Sequence, residues 1–231
     1  MALFDASDLV TRTLNLINRP DADEAFTRTT TNDVLYQYVS DGQRRICELL
    51  AWQVPEVSYE PPTQLISSDN GLTYGFGTDS DGNPILPLGQ IELRGDGPKG
   101  LPILPGNDWD DTTLVYLLDT NASTGYPVIR WPGQRTRTFA NGLWCRYVKP
   151  TLQITSSSSP VTLKPFLCRE LIPYQAAVSC ATQLDMDPGP YQSQFDARWY
   201  EILAILKTQK HGAGLAAFPN TSGVWWKRGV Y

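Results

Sequence analysis

The spacing of apolar residues is most regular over residues 170–210, where it predicts two helices folded back on each other around a turn at residues 185–189. In the second helix the apolar side chains recur at steps of four, four, three and four residues and share one face: Tyr191, Phe195, Trp199, Ile202 and Leu206. The first helix has a matching face, formed by Tyr174, Ala177, Val178, Ala181 and Leu184. The alanines on this face are small enough to let another backbone approach closely. Pro173 and Pro190 mark the helix starts, and Gly212 marks the end of the second helix.

Two further helices are predicted near the start of the chain. Asp5 or Ser7 can cap the first, which runs to about Ile17. The second covers about residues 33–52, and Gly42 weakens its middle. Because these helices and the pair after residue 170 flank a long non-helical stretch, the pattern indicates a helical bundle interrupted by an insertion.

The insertion is predicted over residues 56–168, where Pro, Gly, Ser, Asn and Asp punctuate short runs of β-branched and aromatic residues. Alternation places Cys145 and Tyr147 on one face of a strand and Trp144 and Arg146 on the other. Residues 67–87 are predicted to be a loop. The candidate strands cover residues 90–94, 113–118, 128–131, 143–148 and 152–155.

The predicted fold class is therefore α+β. A four-helix bundle is interrupted by a mostly antiparallel β insertion and followed by an extended C-terminal tail. We expect residues 1–55 to form the first half of the helical bundle, residues 56–168 the β-rich insertion, residues 169–211 the second half of the bundle, and residues 212–231 a C-terminal arm.

Composition and charge narrow the function classes. The chain has 231 residues, of which 41% are hydrophobic and 19% charged, as is typical of a folded soluble protein. A net charge of -5 and a pI near 4.9 argue against a surface that binds nucleic acid by neutralising phosphates. Neither a signal peptide nor a membrane helix is visible, so we expect a protein made in the cytoplasm.

Two stretches resemble ligand-binding loops but have simpler interpretations. Residues 95–100 match the glycine spacing of a dinucleotide loop, yet residues 101–105 contain two prolines and cannot form the helix that receives a pyrophosphate. Residues 79–83 resemble the start of a calcium loop, but its glycine is at the fourth rather than the sixth place, and Gln90 replaces the bidentate Glu. We interpret both as turns.

Histidine and cysteine give no sign of a reactive centre. His211 is the only histidine, which excludes His-based triads and multi-histidine metal sites, and its predicted place in a last helical turn favours a contact with the helix dipole. We predict no catalytic residue, metal or cofactor, and no enzyme. The cysteines lack metal-ligand spacing, and we interpret them as buried free thiols: Cys47, Cys145, Cys168 and Cys180.

One group of residues suggests sugar chemistry. Trp109 stands among three aspartates, and glycoside cleavage needs two carboxylates across a sugar. Aromatic residues on predicted strands offer a stacking surface, although core packing is the simpler interpretation for them. A glycan-binding or glycan-cleaving protein is therefore the alternative function. The aspartates are Asp108, Asp110 and Asp111, and the aromatic residues are Trp131, Trp144 and Tyr147.

The chain after Gly212 is too aromatic for a solvated tail. Large aromatic side chains with few rotatable bonds serve as anchors in protein interfaces, and two adjacent basic residues suit an acidic rim. We interpret this stretch as an assembly arm; folding back onto its own subunit is the alternative. The candidate partner-binding residues are Phe218, Trp225, Trp226, Lys227, Arg228 and Tyr231.

The element order is helix, helix, β insertion, helix, helix and aromatic tail. Within it stand three local patterns, Gly125-Tyr-Pro-Val-Ile-Arg-Trp131, Leu143-Trp-Cys-Arg-Tyr-Val-Lys-Pro150 and Glu170-Leu-Ile-Pro-Tyr-Gln-Ala-Ala177, followed by the helix over residues 199–206. Together these features resemble the head-to-tail adaptor (connector) proteins of tailed bacteriophages, which form a ring beneath the portal. The resemblance covers most of the chain and rests on the order of its elements.

This resemblance implies a structural virion protein without an active site. It implies a homo-oligomeric ring of about twelve subunits that joins the portal to the tail, with helices around the DNA channel. The implied partners are further copies of the chain, the portal protein, tail or neck proteins, and genomic DNA that passes through the lumen during ejection without specific binding. No membrane partner is implied. Among phage proteins, the alternative function is that of a glycan-binding or glycan-cleaving tail component. The implied location is the neck of the virion, after synthesis in the host cytoplasm.

Overall fold

A computed structural model describes residues 5–18, 34–67, 69–78, 84–106 and 115–216, with side chains up to residue 208. The contacts divide the chain into two units: a helical unit within residues 1–57 and 151–231, and a β unit within residues 58–150. Among the described residues, the helical unit contains four α-helices. They are α1 (Ala6–Leu16), α2 (Val34–Gln53), α3 (Ile172–Gln183) and α4 (Gly189–Ala216).

The first helix begins and ends where the sequence predicts. Asp5 is its N-cap, and the Asp5 carboxylate accepts a hydrogen bond from the backbone N–H of Asp8 at 2.8 Å. This bond satisfies one of the amides that a first helical turn leaves without a partner. The same bond, together with one from the Ser7 hydroxyl, lowers the pKa of Asp5.

The second and third helices approach each other closely at Gly42. A Cβ added to Gly42 would lie 3.2 Å from the carbonyl oxygen of Ile172 and 3.5 Å from the Cβ of Gln175. The buried Ala176 keeps the facing side of α3 small as well. The glycine that looks like a weak point in the sequence is therefore the residue that permits close helix packing.

Buried polar side chains of α2 hold the segment that enters the helical unit after residue 150. Gln43 Nε2 donates to the carbonyl oxygen of Leu152 at 2.8 Å, and its Oε1 accepts from two backbone N–H groups at 3.0 and 3.2 Å. The Ser40 hydroxyl accepts from the N–H of Ile154 at 3.1 Å. The strand predicted over residues 152–155 is wrong, because this backbone bonds to side chains of a helix instead of to another strand.

The helical hairpin predicted over residues 170–210 is present, with α3 and α4 in contact. The chain reverses at Asp185, whose φ is 53°. The predicted end of α4 at Gly212 is wrong, since the helix continues to Ala216 in spite of the low helix propensity of Gly212 and Gly214. The buried face of α4 contains most of the predicted residues and one more: Phe195, Trp199, Ile202, Leu203 and Leu206.

The β unit contains seven strands among its described residues. They are β1 (Thr63–Leu65), β2 (Thr73–Gly75), β3 (Leu88–Gly95), β4 (Leu101–Pro105), β5 (Val115–Thr120), β6 (Pro127–Arg130) and β7 (Leu143–Val148). Their order across the sheet is β1-β7-β3-β4-β5-β6-β2, with β4 and β5 parallel and the other neighbours antiparallel. The two end strands meet where the Gly75 N–H donates to the carbonyl oxygen of Ile66 at 2.9 Å. The sheet therefore forms a nearly closed barrel.

Trp131 belongs to the core of this barrel and is 1% exposed. Its ring lies 6.1 Å from that of Tyr74 and 5.6 Å from that of Phe139, and its Nε1–H donates to the carbonyl oxygen of Gly71 at 3.0 Å. Gly71 has a φ of 88°, and a Cβ there would lie 2.1 Å from the carbonyl oxygen of Arg137. The turn that receives the indole N–H therefore requires glycine.

The predicted fold class is wrong: the chain is a sheet-rich barrel with helices, not a four-helix bundle with a mostly antiparallel insertion and an extended tail. The barrel depends on two short end strands and on a parallel pair of strands. Neither the end strands nor the parallel pairing has a clear hydrophobic pattern in the sequence. In the helical unit, α3 contacts each of the other three helices through small buried residues, so one central helix replaces the predicted bundle. Residues 212–216 of the predicted tail are helical, and residues 217–231 lie outside the described residues.

Candidate partner-binding surface

A groove of about 440 Å³ opens on the helical unit between α1, the start of α3 and α4. This volume lies within the range of about 300–1,000 Å³ that is usual for ligand pockets. Its apolar lining comes from Leu16, Pro173 and Ile202. Its polar lining comes from Arg12, Asn15, Glu170, Tyr174 and Arg198.

Two arginines of the groove are already paired within their own helices. Arg12 Nε lies 3.1 Å from Asp8 Oδ2, and Arg198 donates to Glu201 Oε2 at 2.8 Å. The bond to Glu201 is the main cause of the raised pKa of Arg198, with a bond to a tyrosine as the second. Glu170 is exposed and forms no ion pair with another described residue. The charged lining of the groove is therefore mixed, with two arginines and one glutamate.

The last helix has a second surface, on the side opposite its buried face. Five exposed positions recur there at steps of four, three, four and four residues, and none of them carries a charge. Tyr200 within it is 69% exposed. The exposed Glu201 and Lys207 flank this uncharged row, an arrangement that suits a contact surface with a polar rim. We call it the outward stripe of α4: Ser193, Ala197, Tyr200, Ala204 and Thr208.

The predicted partner-binding residues follow directly on this helix but cannot be located in space. Phe218, Trp225, Trp226, Lys227, Arg228 and Tyr231 all lie outside the described residues. The described backbone ends with α4 at Ala216. The role of these residues therefore stays a prediction.

The aromatic residues considered for sugar binding do not form one surface. Trp131 and Tyr147 are buried in the barrel core, which confirms the core interpretation for both. Trp144 alternates with the buried Cys145 and thus lies on the other face of β7, where its Nε1–H donates to the carbonyl oxygen of Asn141 at 2.9 Å. The aspartates at positions 108, 110 and 111 lie outside the described residues.

The three remaining sequence candidates have different outcomes. Gly95 ends β3 and Gly100 immediately precedes β4, so this glycine-rich stretch is the turn of an antiparallel pair, as interpreted from the sequence. Residues 79–83 lie outside the described residues. His211 lies within the span of α4, and its side chain lies outside the described part of the chain.

The four cysteines are free and buried, which confirms their interpretation as core thiols. Burial raises the pKa of the Cys145 thiol to about 12 and that of Cys47 to about 11. Burial also raises the pKa of both Cys168 and Cys180 to about 12. Since the thiolate is the nucleophile, these groups are protonated and inert at neutral pH.

The groove and the outward stripe were missed from the sequence, for different reasons. The stripe could have been predicted, because uncharged residues at positions 193, 197, 200, 204 and 208 follow the helical period in the sequence. The groove has none, because it depends on the approach of α1 to residues more than 150 positions later, such as Glu170 and Arg198. Only the two ion pairs within a helix can be predicted locally, Arg12 with Asp8 and Arg198 with Glu201.

The described residues offer neither a metal cluster nor a membrane span. Within them, no three or more His, Cys, Asp or Glu residues are grouped so that they could hold a metal ion. No helix in the described part combines the length and apolar character needed to cross a membrane. The chain matches no protein-family model and no curated protein. Its function therefore has to be inferred from its own surfaces.

Proposed function

We propose that this chain is a structural virion protein that assembles into a ring of about twelve copies between the portal and the tail of a tailed bacteriophage. In this role it lines the channel through which DNA leaves the capsid. The proposal begins from the resemblance to head-to-tail adaptor proteins. The observation that carries it is the outward stripe of α4, an exposed row of uncharged side chains between Glu201 and Lys207 that none of the described residues covers.

The geometry of α4 suits a helix shared between neighbouring subunits. Its 28 residues span about 42 Å at about 1.5 Å per residue, which is long enough for one face to pack inside the subunit while the other serves a neighbour. A closed ring with cyclic symmetry joins two different surfaces of each subunit. The outward stripe supplies one of them, and Tyr200 offers a large aromatic anchor within it.

The charge of the chain suits a channel that releases DNA. A net charge of -5 disfavours tight overall binding of phosphates. The exposed arginines of α2 are also engaged: Arg44 lies 3.7 Å from Asp41 and 3.8 Å from Glu48, and Arg45 lies 3.7 Å from Glu48. DNA next to such a surface is held weakly and passes through.

A charge placed on the outward stripe tests the proposal. In a phage genome that encodes this chain, the gene is deleted and supplied again as wild type, Ala204→Arg or Ser157→Arg. Ala204 lies on the stripe, whereas Ser157 is exposed in the turn over residues 156–159 and serves as the matched control. Wild type and Ser157→Arg restore heads joined to tails in negative-stain images, whereas Ala204→Arg leaves heads and tails separate because the buried charge has no partner. Joined particles with Ala204→Arg contradict the proposal.

A further inference from the structure

The groove of the helical unit and the outward stripe lie on different sides of the same helix. Arg198 and Ile202 line the groove, whereas Ala197, Tyr200 and Ala204 belong to the stripe. At about 100° per residue, these two sets project from α4 in directions more than about 90° apart. Because one helix carries both surfaces, the stripe cannot enter the groove of its own subunit. Any contact between stripe and groove therefore joins two copies of the chain.

The charges beside the stripe are opposite in sign to those that line the groove. The groove lining has two arginines and one glutamate, whereas the stripe has two acids and one base beside it. In the described part of α4, these three exposed residues lie within about 80° of the centre of the stripe at about 100° per residue. A groove lining of net positive charge is thus matched by a helix surface of net negative charge. The groove residues are Arg12, Arg198 and Glu170, and those beside the stripe are Asp196, Glu201 and Lys207.

We infer that the groove receives the outward stripe of α4 from a second copy of the chain. The inference rests on the proposed function, because it names the partner of the stripe within the ring. The apolar lining of the groove consists of Leu16, Pro173 and Ile202. This lining suits the ring of Tyr200, the largest side chain of the stripe. Each copy then binds one neighbour with its stripe and another with its groove, as a closed ring requires.

Glu170 and Lys207 supply a charge pair for this contact. Both arginines of the groove are paired with carboxylates of their own helices, but Glu170 forms no ion pair with another described residue. Beside the stripe, Glu201 is paired with Arg198, whereas the exposed Lys207 also forms no ion pair among the described residues. Contact between the groove of one copy and the stripe of another pairs these two opposite charges.

Disulfide trapping in the full-length chain tests this inference, because the four native thiols are buried and protonated and leave introduced cysteines as the reactive pair. One tagged chain carries Asn15→Cys in the groove, and a second chain with a different tag carries Ala204→Cys in the stripe. Mild oxidation of the mixture gives a disulfide-linked heterodimer. Ser157→Cys, exposed but outside the groove lining, replaces Asn15→Cys as the matched control and gives about a tenth of that yield or less.

Charge exchange separates a specific contact from random collision. Lys207→Glu in the stripe chain lowers the heterodimer yield about fivefold, because it places two carboxylates against each other. Adding Glu170→Lys to the groove chain restores the yield, since the exchanged charges are again opposite. Gln153→Lys, exposed on the helical unit but outside the groove lining, is the matched control and does not restore the yield.

Three results overturn the inference. The first is a yield no higher than that of the Ser157→Cys control. The second is a yield that Lys207→Glu leaves unchanged, or that Glu170→Lys fails to restore. The third is a disulfide that the Ala204→Cys chain forms only with another copy of itself, because two stripes then pack against each other. Each of these leaves the Ala204→Arg result untouched, so failure of the groove contact is distinguishable from failure of the proposed ring.

Discussion

Burial determines the chemistry of individual side chains in this protein. The alternation over residues 143–148 predicts that Cys145 and Tyr147 share one face of a strand, and both are buried in the core. The partners of buried polar groups could not be predicted in the same way. Gln43 is fully buried because backbone groups more than 100 residues later form hydrogen bonds with its side-chain amide. No local sequence pattern predicts such contacts.

The buried thiol of Cys145 predicts a loss of stability in alkaline solution. An unfolded thiol ionises near pH 9, whereas burial raises the pKa of Cys145 to about 12 in the folded chain. Between these values the unfolded state gives up a proton that the folded state keeps, so the free energy of unfolding falls as pH rises. Each such thiol removes about 1.4 kcal/mol per pH unit within that window.

Cys145→Ala lacks one of these thiols, so its free energy of unfolding falls less than that of wild type as the pH rises. In urea unfolding, the difference in free energy between wild type and Cys145→Ala shrinks by about 1.4 kcal/mol from pH 8 to pH 10. Ile129→Val, a buried change without a titrating group, keeps a constant difference from wild type. An equally constant difference for Cys145→Ala shows that this thiol ionises as readily in the folded chain as in the unfolded one.

At the scale of elements, long periodic segments could be predicted and short ones could not. The sequence predicts all four described helices, and strands β3, β5, β6 and β7 overlap their predicted spans. The strands β1 and β2 have three residues each, and β2 falls in the stretch predicted as a loop. Three residues are too few to show alternation, and the pairing partners of these strands are about 55 to 80 residues away in sequence.

Neighbouring residues on α4 test which face of this helix is buried. Trp199 is 5% exposed and Tyr200 is 69% exposed. Trp199→Ala lowers the free energy of unfolding by about 3–5 kcal/mol, because it empties a large core site. Tyr200→Ala changes it by less than about 0.5 kcal/mol, as is usual on a surface. Urea unfolding followed by circular dichroism measures both, and equal losses contradict the orientation of α4.

At the scale of the whole molecule, the barrel is the feature that could not be predicted from the sequence. Its near closure depends on a bridge between Ile66 and Gly75, and its mixed character depends on the parallel pairing of β4 with β5. Both are pairings of short or irregular segments, which hydrophobic periodicity does not predict. The two candidate surfaces of the helical unit, the groove and the outward stripe, likewise become visible only when α1, α3 and α4 are placed together.

Assembly into a neck ring is the central claim, and an image of the neck tests it most directly. The measurement is cryo-EM of a virion that contains this chain, at a resolution that traces helices. We expect a closed ring of about twelve copies between portal and tail, with the outward stripe of α4 at the contact between neighbouring subunits. A neck whose density is fully explained by other proteins, or a ring in which Tyr200 and Ala204 face only solvent, contradicts the account.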